Sequence, residues 1–353
     1  MAVIQTISVR HFRNLSVPEI GFSPQFNVLT GENGAGKSSV LEALLFLGTL
    51  KSFRAVNPQE LIARGASCAV VRATALGLGD APCLLATERC KSSLRLRVNQ
   101  EPVARVSEFI THLPMLALHA QSDDLLLAGP DHRRRFLDRL AFYLLPDFFG
   151  IYAQFNRVLK QRNAALKSRQ STRPWDELFI RHAEPLHRGR TEALTALMAV
   201  FPAVLSALSP RMSVSASLHP GYSGDSLAEA LARSQVREQE LRQTLVGPHR
   251  SDVIFSRPEG LLKADASRGQ IKVFVLALML AVAQVWREQQ SHRAILLFDD
   301  FMTELDRKHL PLVFDYLQDF GHQAFFSTVD THSYPPQFAA QFVVRDGELS
   351  SVV

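Results

Sequence analysis

Cysteine is scarce in this chain: three among 353 residues, at 68, 83 and 90, with no CxxC and no zinc-like spacing. An odd count without a motif argues against a disulfide-framed secreted fold or a zinc module, and predicts three small apolar fillers in a reducing cytoplasm. Long apolar runs are missing as well. The longest, Val273 to Ala283, is eleven residues between Lys272 and Gln284, too short to span a bilayer and suited to a buried helix. The N-terminus, MAVIQTISVRHFRN, alternates apolar and polar residues and lacks the charged-then-apolar pattern of an export signal, so a cytoplasmic, membrane-independent protein is expected. No repeat, low-complexity tract or sustained heptad is visible, which leaves an ordinary globular chain, 46% hydrophobic and 21% charged.

The charge is less ordinary. The chain carries 39 basic and 34 acidic residues, net +5, and the excess is concentrated. Residues 131–190 hold 13 Lys and Arg against 6 Asp and Glu, while the remainder holds 26 against 28. A basic block inside a neutral chain predicts a face for a polyanion, a solvated helical surface being the alternative.

Period-2 patterns at Val3–Arg10, 68–74, 84–87 and 94–98 predict strands, and Phe26–Thr30 reads as a short buried strand. From about Arg133 to Arg190 the period becomes helical; Leu194 to Leu208 continues it, with Pro202 expected to interrupt. A helix over Leu227–Leu241, an apolar helix beginning at Ile271, a strand at Ala294–Phe298 and an alternating tail follow. The expected fold is α/β: a nucleotide-binding lobe built from 1–115 and 246–353, with the apolar helix from Ile271 in the latter, and a basic, mainly helical lobe at 116–245.

Gly31-Glu32-Asn33-Gly34-Ala35-Gly36-Lys37-Ser38 fits G-x-x-x-x-G-K-[ST] between a strand and an apolar helix. Glycines at 31, 34 and 36 let the backbone turn its N–H groups toward phosphate oxygens, and the helix N-terminus adds partial positive charge. Lys37 is placed for the β/γ phosphates and Ser38 for Mg²⁺. A second element, Ala294-Ile295-Leu296-Leu297-Phe298-Asp299-Asp300, reads as a buried parallel strand ending in two carboxylates. Asp299 suits the Mg²⁺ shell and Asp300 suits polarisation of an attacking water. The 262 positions between Lys37 and Asp299 disfavour a single-domain kinase.

Ser267-Arg268-Gly269-Gln270 opens the apolar helix 32 residues before Asp299. Alone it reads as an N-cap serine; in this order and spacing it looks like the SGGQ signature of ABC-type ATPases. Further segments match in order: His11 to Leu15, Lys51-Ser52-Phe53-Arg54, Arg133-Arg134-Arg135-Phe136-Leu137-Asp138, Gln161-Arg162-Asn163, Gly247 to Asp252, Glu304-Leu305-Asp306, and a closing hairpin around Val343 to Leu349. Nearly the whole chain resembles the RecF family of DNA-repair ATPases, an SMC-like branch of the ABC-type P-loop ATPases with an inserted, mainly helical second lobe.

That resemblance implies ATP held by Gly31, Asn33, Gly34, Gly36, Lys37, Ser38 and Ser39, with Mg²⁺ at Ser38, Asp299 and Gln121, the last also the candidate lobe-linking glutamine. Arg13 would reach the nucleotide from the first hairpin, or be an ordinary surface arginine. Ser267 and Gln270 would act in trans on ATP held by a second copy, making an ATP-dependent homodimer with Asp306 in a dimer-facing loop. Asp300 stands where the wider superfamily has glutamate, and Arg268 replaces the first signature glycine; the family shares both. The shorter Asp300 predicts slow, DNA-stimulated hydrolysis suited to a switch.

The resemblance also implies binding to double-stranded DNA and single/double-strand junctions, with RecR and RecO-like mediators and RecA loading. Independently, Arg133, Arg134, Arg135, Arg157, Lys160, Arg162 and Lys167 are the candidate phosphate contacts. A nucleotide-binding subunit of an ABC transporter is the second reading; the basic insert, the SRGQ form and Asp300 weigh against it. An SMC-like coiled-coil scaffold would need a longer insert.

Overall fold

The computed structural model describes residues 3–76, 81–290, 293–306, 308–329 and 339–352. Two compact units divide the chain, one from Met1–Ser122 with Ala283–Val353 and one from Asp123–Val282. The second boundary therefore falls inside the signature helix and not before residue 246. Phe274 explains the shift, because its ring packs edge-on against Phe201 and Phe255 and ties the first half of that helix to the second unit.

In chain order the first unit opens with β1 (Val3–Phe12), β2 (Leu15–Gly21), β3 (Phe26–Thr30) and α1 (Lys37–Thr49). Then come β4 (Cys68–Leu76), β5 (Pro82–Cys90), β6 (Leu94–Val98), β7 (Glu101–Pro102), α2 (Val106–Ile110) and β8 (Met115–Leu118). The second unit holds α3 (Asp124–Leu127), α4 (Pro130–Leu144), α5 (Phe148–Lys167), α6 (Arg173–Leu208), β9 (Ser215–His219) and α7 (Leu227–Leu241). It continues through β10 (Asp252–Arg257), β11 (Gly260–Leu261) and α8 (Leu262–Asp265), and α9 (Arg268–Gln290) leads back to the first unit. There β12 (Ile295–Asp299), α10 (Leu310–Phe320), β13 (Ala324–Thr328), β14 (Ala339–Arg345) and β15 (Glu348–Ser351) complete the chain.

The first unit is a two-sheet sandwich around one helix. An antiparallel sheet has the order β2-β1-β4-β5-β6-β7; a mainly parallel one has β15-β14-β3-β13-β12-β8. Between them α1 is buried at every residue except Ser38. Its apolar residues join Ile7, Val9, Val71 and Leu85 of the first sheet to Leu297, Phe325 and Phe342 of the second in one core. A helix that is apolar all round belongs in such a place. Gln323 stitches the two sheets together, its amide bonding the N–H and carbonyl of Ile4 and the carbonyl of Ser23, each at 2.8 Å.

Two expectations fail here. Cys68 and Cys90 form a disulfide, because β4 and β5 pair Cys68 directly opposite Cys90 with Cα atoms 4.1 Å apart. Only Cys83 stays free and buried. Pro202 does not interrupt its helix: α6 runs through both Pro185 and Pro202. A proline inside a helix costs about 3 kcal/mol or more, which the buried face of Leu186, Ala193, Leu197, Phe201 and Val204 outweighs. By length and composition α6 and α9 would each suffice to cross a membrane, yet α9 is largely buried within the fold.

The second unit spends much of its arginine internally. Arg133 forks onto Asp252 at 2.7 and 3.1 Å and donates to the carbonyls of Leu126 and Ala128. Arg162 meets Asp176 at 2.9 Å, Glu238 at 2.7 Å and Thr244 at 2.8 Å. Arg134 bonds the Ser251 carbonyl and Asp131. Arg133 and Arg162 are thus not the free phosphate contacts expected of them, since their side chains are 5% and 2% exposed. Arg135, Arg157, Lys160 and Lys167 remain exposed. Removing one member of a buried pair strands the other charge. Arg162→Ala is expected to lower stability by about 3–5 kcal/mol, read as a fall in the urea midpoint, whereas Lys160→Ala should leave that midpoint nearly unchanged.

Candidate nucleotide site

Three strands assemble the site. β3, β13 and β12 are parallel neighbours, with Thr30 paired to Thr328 and Ser327 paired to both Leu29 and Asp299. Their C-terminal ends therefore finish on one edge of the sheet, where open α/β sheets place ligands. β8 joins β12 in the same direction, so His119 and Gln121 follow at that edge.

After β3 the chain turns through Gly31 to Gly36 and enters α1. Gly31 has φ 150°, and a Cβ there would lie 2.4 Å from the Val344 carbonyl oxygen, so the loop seats against β14 only with glycine. Gly34 and Gly36 also have positive φ, and Gly36 is the residue before the helix. The β14–β15 turn, Asp346-Gly347, clasps the loop from outside: Gly347 donates to the Ala35 carbonyl at 2.9 Å. A Cβ on Gly347 would come within 1.9 Å of the Asn14 carbonyl. Lys37 is buried, its Nζ donating to the carbonyls of Gly31 at 2.7 Å and Glu32 at 3.0 Å. Asn33 is exposed, Ser38 is half-buried as the second residue of α1, and α1 has no acid in its first turn to offset its partial positive charge. A cavity of about 730 Å³ lies along this loop, lined by Thr30 to Ala35 on one side and by Val343 to Asp346 on the other.

Asp299 and Asp300 leave β12 beside this loop. The Ser327 hydroxyl donates to Asp299 Oδ1 at 2.9 Å and accepts from the Asp300 N–H at 2.8 Å. Asp300 adopts φ 49°, a left-handed conformation uncommon outside glycine. Burial pushes its carboxyl above the ordinary aspartate range and the Asp299 charge adds to this, while Lys37 opposes. Such a carboxylate is a stronger proton acceptor than a solvated aspartate. Ser38 and Asp299 supply hard oxygen donors of the kind Mg²⁺ takes, and Ser327 fixes the orientation of Asp299. Gln121 is exposed, with Oε1 at 3.0 Å from His119 Nδ1, and the His119 ring stacks on Phe53.

Sequence reasoning missed Glu42. This carboxylate, 0% exposed on the inner helix, accepts both Arg13 Nε and Nη2 at 2.9 Å, Arg54 Nη2 at 2.6 Å, and the Ser52 hydroxyl. Arg54 also donates to Ser39 at 3.0 Å. Burial pushes the Glu42 carboxyl up, but the hydrogen bonds from Arg13, Ser52 and Arg54 outweigh it, so the group ends below its usual range. Arg13 is accordingly neither a loose surface arginine nor free; it is clamped beside α1. The available signal was a lone carboxylate in the apolar run Val40-Leu41-Glu42-Ala43-Leu44.

In the second unit, Ser267 and Gln270 form a reciprocal cap on α9: the Ser267 N–H donates to Gln270 Oε1 at 2.9 Å, and the Gln270 N–H donates to Ser267 Oγ at 3.3 Å. Ser267, Arg268, Gly269 and Gln270 are all exposed, and the first turn carries no acid. Asp306 is exposed as well, with Lys308 Nζ at 3.4 Å.

A glycine loop at a helix start, paired acids at the end of a parallel strand one place removed in the same sheet, and an exposed, serine-capped helix define the head of an ABC-type ATPase. The family model described as the RecF/RecN/SMC N-terminal domain matches residues 3–337, and the chain belongs to that family. "DNA replication and repair protein RecF" of Shewanella baltica (strain OS223) is 33% identical over 330 residues, 92% of this chain and 91% of that relative. The protein of the same name from Escherichia coli O1:K1 / APEC is 30% identical over 349 residues, covering 97% and 98%. Among solved structures, the recombination mediator protein RecF with ATP superposes with TM-score 0.90 at 21% identity, covering 100% of this chain and 98% of that one. A Pyrococcus furiosus Smc head gives TM-score 0.60 at 17% identity, covering 100% and 96%. These superpositions establish the ABC-type head fold with its second unit.

Two outcomes follow from the geometry. Because the Asp300 pKa is raised in the fold, ionising it opposes folding at neutral pH, and that cost shrinks as pH falls through the raised value and is gone below the unfolded one. Asp300→Asn should leave thermal stability at pH 7 equal or higher while cutting phosphate release by about 10²–10⁴. Glu42 has the opposite sign: its lowered pKa contributes stability above the unfolded value, lost as pH falls through the folded one. Glu42→Gln should cost about 3–5 kcal/mol in denaturant unfolding and flatten the acid limb of stability against pH.

Proposed function

We propose that this chain is an ATP-driven DNA-binding switch of recombinational repair and replication-fork maintenance. In this reading ATP closes a homodimer on double-stranded DNA at gaps or single/double-strand junctions, in the cytoplasm. RecR and RecO-like mediators act with it to assist RecA loading. The observation that carries the reading is the common edge where β3, β13 and β12 end, which gathers the phosphate loop, Ser327, Asp299 and Asp300. The curated relatives bearing the name DNA replication and repair protein RecF support the biological setting.

The chemistry follows from the side chains. The loop N–H groups and the α1 terminus hold the β- and γ-phosphates, and Lys37 Nζ exchanges the Gly31 and Glu32 carbonyls for phosphate oxygen. Mg²⁺, held by Ser38 and Asp299 with Gln121 as the remaining candidate, would neutralise charge on the phosphates. Asp300 accepts the proton of a water as its oxygen bonds to the γ-phosphorus and the bond to the β-phosphate oxygen breaks. Its short side chain and the exposed setting of Ser267 and Gln270 suit weak hydrolysis that DNA and a second copy stimulate. The signature residues of one copy would complete the γ-phosphate shell of the other.

Sedimentation with and without ATP tests the reading. Lys37→Met should lose nucleotide binding and dimer together, whereas Ser267→Arg should bind ATP and stay monomeric. A Ser267→Arg protein that dimerises with ATP as the wild type does would refute the trans arrangement.

A further inference from the structure

The outer face of the antiparallel sheet carries four exposed arginines, Arg10, Arg72, Arg95 and Arg97. Alternation along β4, β5 and β6 buries Val71, Ala73, Leu85 and Leu96 toward α1. The same alternation turns Arg72, Arg95 and Arg97 outward, and Arg10 of β1 is exposed beside them. The ladder fixes their arrangement. Ser8, Arg72, Ala86 and Arg97 stand in one row across four strands, and Arg10, Val70, Glu88 and Arg95 form the next.

Small Ala86 separates Arg72 from Arg97, so two guanidinium groups flank an open floor two strands wide, about 9.6 Å. A cavity of about 460 Å³ opens there, lined by all three arginines of β4 and β6. Glu88 is the one acid in its lining, and it is matched by Arg95 at 3.0 Å. Arg72 and Arg97 have no ion pair among the described residues. Arg95 and Arg97, two apart on one strand, sit about 6.8 Å from each other on the same face. Like charges gathered this way repel and add nothing to the fold, in contrast to Arg133 and Arg162, which are buried and matched.

We propose that this sheet face is a second DNA-binding surface, on which Arg72 and Arg97 take backbone phosphates. The proposal rests on the DNA-binding reading above and places part of the contact on a unit whose sequence carries no basic block. Charge complementarity names the occupant. Besides Glu88 and the arginines, the cavity is lined by Val70, Leu84, Ala86, Thr87 and Gln100, with no aromatic ring to stack on a base, so contact is with phosphate and carries no base preference.

The test uses the full chain with ATP and a mixed-sequence duplex carrying a single-stranded tail, followed by anisotropy across a salt series. Arg72→Glu/Arg97→Glu, and separately Arg72→Ala/Arg97→Ala, should weaken binding at least about tenfold and reduce the salt slope by about 2, at roughly 0.9 per phosphate contact. ATP binding and Tm should stay unchanged, and Arg95→Gln should lose little because Glu88 already neutralises Arg95. Wild-type affinity and slope in both double variants would overturn the placement. So would a loss confined to Arg135→Glu/Lys160→Glu on the helical unit. Failure of the wild-type chain to bind the duplex would instead sink the DNA-binding reading itself.

Discussion

The functional edge of this protein depends on the register of three parallel strands. One residue of slip between β13 and β12 would carry Ser327 away from Asp299 and turn alternate side chains to the opposite face. The register is held by what lies between the sheets. α1 begins at the phosphate loop and supplies the core that both sheets bury against, so the placing of the loop and the packing of the core are properties of one helix. A change that loosens the core therefore moves the loop, and the loop's glycines are crowded by the Val344 backbone at Gly31 and by the Asn14 side chain at Gly36.

Arginine is used in two different ways. Arg133, Arg162 and Arg190 are buried against Asp252, Glu238 and Asp138, and Arg13 is clamped on Glu42. In each case the guanidinium fork spans several acceptors that a lysine could not hold together. Arg135 on α4, Arg157 on α5 and Arg72, Arg95 and Arg97 on the antiparallel sheet are among the arginines left outside. A charge sum along the chain cannot separate the two uses. The excess over residues 131–190 overstated the free charge of the helical unit, and the near-neutral remainder hid a cluster made by strand register.

The phosphate loop, the strand before it and the acidic strand were legible in the sequence because their signals are local: a spacing, an apolar run, a period. The hairpin at Asp346-Gly347 was expected from the family resemblance, and the structure joins its strands through two residues of positive φ. What escaped was set by pairs far apart in the chain. The Cys68–Cys90 bridge depends on which strands pair and in what register. Glu42 is intelligible only once α1 is known to be buried and Arg13 and Arg54 are known to converge on it. The unit boundary was misplaced because Phe274 packs with Phe201 and Phe255, contacts no composition shift reveals. Proline at 202 misled for the converse reason: a local rule yielded to the packing of a long helix.

The strand that carries the phosphate loop is flanked on both sides by strands synthesised last. β3 pairs with β13 and β14, and Ala324, the start of β13, lies 294 positions after Thr30. At about 5–20 residues per second the ribosome needs roughly 15–60 s to deliver β3's partners. During that interval Phe26 to Thr30 has both edges unpaired, while the second unit, contiguous in the chain, can already close. Birth order thus makes the helical unit a folded passenger waiting on an unfinished sheet, whose central loop-bearing strand gains its flanking partners only at the end of synthesis.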